Sequence, residues 1–169
     1  MKKRALILSI LLHGLLLIVV YVFQGVIFPF LRLGGLVPLL LPIASTGIAL
    51  YEGRDIGGIA GLFAGILCDV SFNQPVAVFT VLLTLTGLVV GTLADTVMLR
   101  GFANYYISVA AVLIVSTVVQ VFPLVVFQNI PVQLLLGTAI QQNIYSLVLA
   151  LPIWFFIRAL GRYAERNPT

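Results

Sequence analysis

Gly57-Gly58-Ile59-Ala60-Gly61-Leu62-Phe63-Ala64-Gly65-Ile66-Leu67-Cys68-Asp69 is apolar enough for a lipid environment, yet Gly57, Gly61, Gly65 and Asp69 recur every four residues. On a helix that step keeps the four on one slowly winding face. Glycine inside a soluble helix is destabilising. Between membrane helices it lets a neighbouring backbone approach closely, because packing rather than water exclusion holds them together. The spacing therefore predicts a tightly packed membrane helix, the packing centre of its bundle, ending in an aspartate that is costly to leave facing lipid.

The rest of the chain fits that solvent. Of its 169 residues 62% are hydrophobic and only 8% charged, with mean hydropathy +1.21. Soluble domains are about half apolar and a quarter charged, so the expected class is an all-α integral membrane protein. The net charge of +4 is spread between apolar runs with no basic face, which speaks against nucleic acid as a partner. Cys68 stands alone, so neither an internal disulfide nor a cysteine metal cluster is available. Lys2-Lys3-Arg4 opens an apolar run reaching Phe28; it is longer than a signal-peptide core, and no small-x-small cleavage site follows, which predicts a retained first span.

Outward from the glycine stretch, the apolar runs predict six spans at about 5–27, 36–51, 56–72, 76–98, 102–127 and 132–160. The second is short and carries Pro38 and Pro42, which fits a kinked or partly re-entrant segment. Kinks are expected at Pro123 and near Pro152, with a polar tail from Arg162. Six spans put both termini on one side. With that side cytoplasmic, Lys2, Lys3, Arg4, Arg54, Arg100, Arg158, Arg162 and Arg166 lie inside and Arg32 alone outside, as the positive-inside rule asks. A five-span arrangement loses that asymmetry. The stripe also has an echo: Gly61, Gly65 and Asp69 match Gly87, Gly91 and Asp95 in spacing, and the two helices run antiparallel, so the stripes are able to face each other.

Polar residues inside the spans are few. Asp69 lies about 5 Å from the outer end of its helix by helical rise, and Asp95 near the inner end of the next, so they cannot form a carboxylate pair. Asp69, Gln120 and Gln142 either line an outward-opening cavity or serve as bonds between helices, with Asp69 capping the turn at Asn73. His13 is the single histidine and has no carboxylate near it in sequence, which predicts a packed side chain rather than a metal ligand or proton relay. No nucleophile–base arrangement or phosphate loop is visible, so the expectation is no enzyme, no catalytic residue, no metal site and no cofactor.

The run from Gly34 to Gly91 resembles the bacterial rod shape-determining protein MreD family. It has Leu33-Gly34-Gly35-Leu36-Val37-Pro38, then Gly57, Gly61, Gly65 and Asp69, then Pro75, then Gly87 and Gly91, in the family's order and spacing. Family members often carry aspartate directly after the first of these prolines, where this chain has Leu39, and glycine after Pro75, where it has Val76-Ala77. The resemblance implies a non-enzymatic scaffold of cell-wall elongation in the bacterial cytoplasmic membrane. It would bind the bitopic protein MreC and, through it, MreB filaments and peptidoglycan synthases; self-association is also open. Gly57, Gly61, Gly65, Asp69, Gly87 and Gly91 would pack the bundle or receive a partner helix. The family is similar in fold to the S components of energy-coupling-factor vitamin transporters, which supplies the alternative of a solute-binding subunit. In those proteins a small-residue stripe on the first helix docks the transmembrane partner; here that face reads Ala5, Ser9, His13.

Overall fold

A computed structural model describes residues 2–27, 37–71, 77–96, 101–128 and 132–166, and all but a few of these are helical, with no strand among them. Helix α1 spans Lys2–Val22 and closes with a π-helical turn over Phe23–Ile27. It is followed by α2 (Leu40–Glu52), α3 (Arg54–Ser71), α4 (Val78–Thr96), α5 (Phe102–Gln128) and α6 (Val132–Arg166). Among the described residues four stretches are long and apolar enough to cross a membrane: Ser9–Val26, Val78–Thr96, Phe102–Phe122 and Leu135–Ala159. With Leu85, Ile107, Ile114, Ile144, Phe155 and many other large apolar side chains exposed on the outside of the bundle, the chain is a membrane protein; water tolerates only small apolar patches.

The second apolar run departs most from its expected span. Val37–Leu39 is not helical, and α2 has 13 residues, about 20 Å of helix against about 30 Å of hydrocarbon. Every residue from Leu40 to Leu50 is buried. This helix, rather than the glycine helix, is the enclosed centre, with α1, α3, α4, α5 and α6 all packed on it. Pro42 sits in its first turn, where an N–H has no helical partner in any case. Gly47 marks where α5 and α6 close on α2: a methyl group there would strike Ile157 and come within 3.0 Å of the Tyr105 ring.

A buried helix start must find acceptors for its free N–H groups, and two other helices supply them. Gln24, in the π turn of α1, accepts bonds from Leu40 N at 3.0 Å and Leu41 N at 3.2 Å through Oε1. Ser146 of α6 accepts from Leu39 N at 3.0 Å. Nearby, Gln142 donates Nε2 to the Val37 carbonyl at 2.8 Å. Leu39 itself is fully buried.

One boundary also differs from expectation. The α5 helix ends at Gln128, within a residue of its expected span, whereas α6 runs through Pro152 as far as Arg166, taking in residues expected to form a tail. Beside Pro152, Tyr106 donates its hydroxyl to the Leu147 carbonyl at 2.6 Å and Tyr105 to that of Ala150 at 3.3 Å.

Candidate functional site: the α3–α4 pair and the ends of its helices

The glycine stripe of α3 faces that of α4, as the echo in the sequence suggested. A methyl group on Gly61 would overlap the Leu83 carbonyl, and one on Gly65 would overlap the backbone at Thr80. On α4, a methyl on Gly87 would overlap the Gly57 carbonyl, and one on Gly91 would lie 2.6 Å from the Arg54 Cα. Gly57 is squeezed from two sides, with Ala49 of α2 at 2.7 Å and the Gly87 carbonyl at 3.0 Å from such a methyl. Backbone meets backbone along the seam, and nothing larger than hydrogen fits at these five positions. The outer faces carry Ile59, Leu62, Ile66, Val81, Leu85 and Val89.

The aspartates that end the two stripes complete the pattern. Asp69, at the end of α3, accepts bonds from Phe79 N at 2.9 Å, Thr80 N at 2.9 Å and Thr80 Oγ1 at 2.6 Å. These N–H groups belong to the first turn of α4, which they leave unpaired within the helix, and a carboxylate there also meets the positive end of the helix dipole. Asp95, near the end of α4, accepts from Arg54 N at 3.0 Å, at the start of α3. Each helix thus caps the start of the other.

The correspondence is residue for residue. Laying Gly61, Gly65 and Asp69 on Gly87, Gly91 and Asp95 carries the Gly61–Leu83 contact onto Gly87–Gly57. It carries Gly65–Thr80 onto Gly91–Arg54, and the bond from Thr80 N to Asp69 onto that from Arg54 N to Asp95. The pair is an antiparallel hairpin with local two-fold pseudosymmetry, and the four-residue step of the stripe sets its register. Asp69 and Asp95 lie at opposite ends of it, as their expected depths required. Asn73, the expected target of the Asp69 cap, lies outside the described residues; the bonds go further on, to Phe79 and Thr80.

Of the two roles open to Asp69, Gln120 and Gln142, a shared cavity or bonds between helices, Asp69 and Gln142 make bonds. Asp69 turns to α4 and Gln142 to the Val37 carbonyl. Gln120 has a buried Nε2 with no hydrogen-bond partner, as does the buried Ser116 Oγ one turn before it on α5. Asn143 accepts from Thr117 Oγ1 at 3.0 Å, tying α5 to α6.

His13 is packed, as expected, but a carboxylate reaches it that the sequence kept out of view. Glu52, the last residue of α2, lies with Oε1 3.8 Å from His13 Nε2 and accepts a bond from Ser9 Oγ at 3.1 Å through Oε2. Forty-three positions separate Ser9 from Glu52, so no local motif announces the contact. The signal that was present is that Glu52 directly precedes Gly53, which has φ of 86°. That glycine turns α2 straight into α3, so the turn folds back on the bundle. Glu52 also lines a polar cavity of about 320 Å³ with Arg54, Asp55, Ile56 and Asp95. Two apolar grooves flank α1, one of about 480 Å³ toward α6 and one of about 440 Å³ toward α3. No group of histidine, cysteine and carboxylate side chains suited to a metal ion occurs among the described residues.

Fold and site together define a helical membrane protein built on a glycine-packed, reciprocally capped hairpin. No family model matches the chain, and neither the curated proteins nor the solved structures include a match.

Proposed function

We propose that this chain is a non-enzymatic scaffold of the bacterial rod-shape machinery, similar to MreD. In this reading it lies in the cytoplasmic membrane with six spans, an S-component-like arrangement and both termini in the cytoplasm. The observation that carries the reading is how the polar residues within the bundle are used. Asp69, Asp95, Gln24, Ser146 and Gln142 all bond backbone groups at or beside helix starts. Polar groups spent this way rigidify a platform. The order of glycines, prolines and Asp69 along the chain adds the resemblance to MreD. The partner by that resemblance is MreC, and through it MreB and the peptidoglycan synthases.

The test is affinity isolation of the intact chain from its native membranes, combined with a carboxyl-terminal topology reporter. Recovery of MreC with a cytoplasmic reporter signal is the expected result. An extracytoplasmic reporter signal, or isolation without MreC, would contradict it. One observation favours the alternative of a solute-binding S component: the unpartnered Ser116 Oγ and Gln120 Nε2 on α5 are groups a polar solute would satisfy. Thermal stabilisation of the purified protein by a vitamin, absent in Gln120→Leu, would turn the assignment that way.

A further inference from the structure

We propose that His13 and Glu52 form a proton-binding site that latches α1 onto the end of α2. His13 is only 3% exposed and Glu52 18%. The imidazole Nδ1 lies 2.8 Å from the Ser9 carbonyl. A carbonyl only accepts, so Nδ1 carries the hydrogen and donates it, and the neutral ring then presents a bare lone pair at Nε2. That lone pair faces Glu52 Oε1, a second acceptor, at 3.8 Å, and Nε2 has no hydrogen-bond partner. The one hydroxyl at hand is already committed, with Ser9 Oγ donating to Glu52 Oε2. A buried acceptor, His13 Nε2, and a partly exposed one, Glu52 Oε1, face each other with no donor between them, and one proton resolves the conflict.

The bound proton belongs to the pair rather than to either residue. Held on the ring, it converts two opposed acceptors into an ion pair and brings a compensating charge to a carboxylate at a helix C-terminus, where the dipole disfavours it. The residues of α3 that border the same groove as His13 are Ile56, Ile59, Ala60, Leu62 and Phe63, all apolar. The other charged groups nearby are Arg54 and Asp55 of α3 and Asp95 of α4, which share the polar cavity with Glu52. Of the pair, Glu52 lines that cavity and His13 does not.

Because His13 is the single histidine in the chain, labelling histidine with ¹⁵N reads this site alone. The experiment uses the intact protein in lipid nanodiscs from pH 5 to 8, the range over which histidine ordinarily changes charge, with a parallel measurement of thermal midpoint. The expected spectrum at pH 8 is the Nδ1-protonated tautomer, converting to imidazolium on acidification while the thermal midpoint rises. In Glu52→Gln and in His13→Gln that acid-side rise is lost. Ser9→Ala, which keeps both partners, retains it and covers the case in which either of the other variants fails to fold. A ring that stays neutral down to pH 5, an Nε2-protonated tautomer at pH 8, or an acid-side rise undiminished in Glu52→Gln would overturn the proposal.

Discussion

The two ends of the α3–α4 hairpin use one sequence device to different depths. At the Asp69 end, a half-buried carboxylate takes three hydrogen bonds, two from backbone and one from the Thr80 hydroxyl. At the Asp95 end, an exposed carboxylate takes one, from Arg54 N. Position in the chain explains the difference. At the start of α4, Phe79 N and Thr80 N each bond an oxygen of Asp69. The start of α3 follows α2 directly, and there Gly53 N already bonds the Ala49 carbonyl at 3.1 Å. Asp95 is left with a lighter structural duty and a place in the polar cavity beside Glu52. Matching motifs therefore do not carry matching energies.

Substitutions that probe the comparison rank by how completely they remove a contact. The largest effect is expected from Gly61→Leu, at the middle of the seam, where overlap with the Leu83 backbone cannot be relieved by a side-chain rotation. Overpacking costs about 1–3 kcal/mol even in compliant cores, so loss of monodisperse protein on size exclusion is expected. Next comes Gln24→Leu, which leaves the buried N–H groups of Leu40 and Leu41 without an acceptor. At about 1–3 kcal/mol for each unsatisfied group, chemical denaturation in detergent should show a loss exceeding that of either aspartate variant.

Between the two ends, Asp69→Ala is expected to cost about 1–2 kcal/mol, the upper range for a lost helix cap. Asp95→Ala should cost no more than about 0.5 kcal/mol, as its exposure and single bond imply. Amide hydrogen exchange sharpens the contrast: Phe79 and Thr80 should lose protection in the first variant, and Arg54 alone in the second. Equal losses would mean the two caps are equivalent after all. The smallest effect is expected at Gly14, where a methyl group would meet nothing within 4 Å. Gly14→Leu should leave the thermal midpoint unchanged, which separates glycines that pack from glycines that do not.

The helices and the seam were legible because they rest on local rules. Apolar length marked the helices, and a four-residue glycine step marked both the contact face and, through Asp69 and Asp95, its ends. The place of α2 was not legible. A helix apolar on every side has no periodicity to say which face is covered, so Leu40–Leu50 read as a short span rather than as the enclosed centre. The caps from Gln24 and Ser146 were hidden for a related reason: the donors they serve are backbone groups and leave no mark in the sequence. Nothing in the sequence ties Glu52 to His13, because the two lie far apart along the chain and only the fold of α2 against α1 brings them together.

The close approach of α3 and α4 is the claim on which the rest depends, and it is measurable without altering the protein. Solid-state NMR of the intact chain in bilayers, with glycine labelled at Cα and leucine at the carbonyl carbon, should show strong direct transfer between Gly61 and Leu83. Glycine labelled at both carbons should show the same between Gly87 and Gly57. Both signals together are the predicted result. Their absence from well-folded protein, with α3 and α4 separated by side chains, would contradict the account.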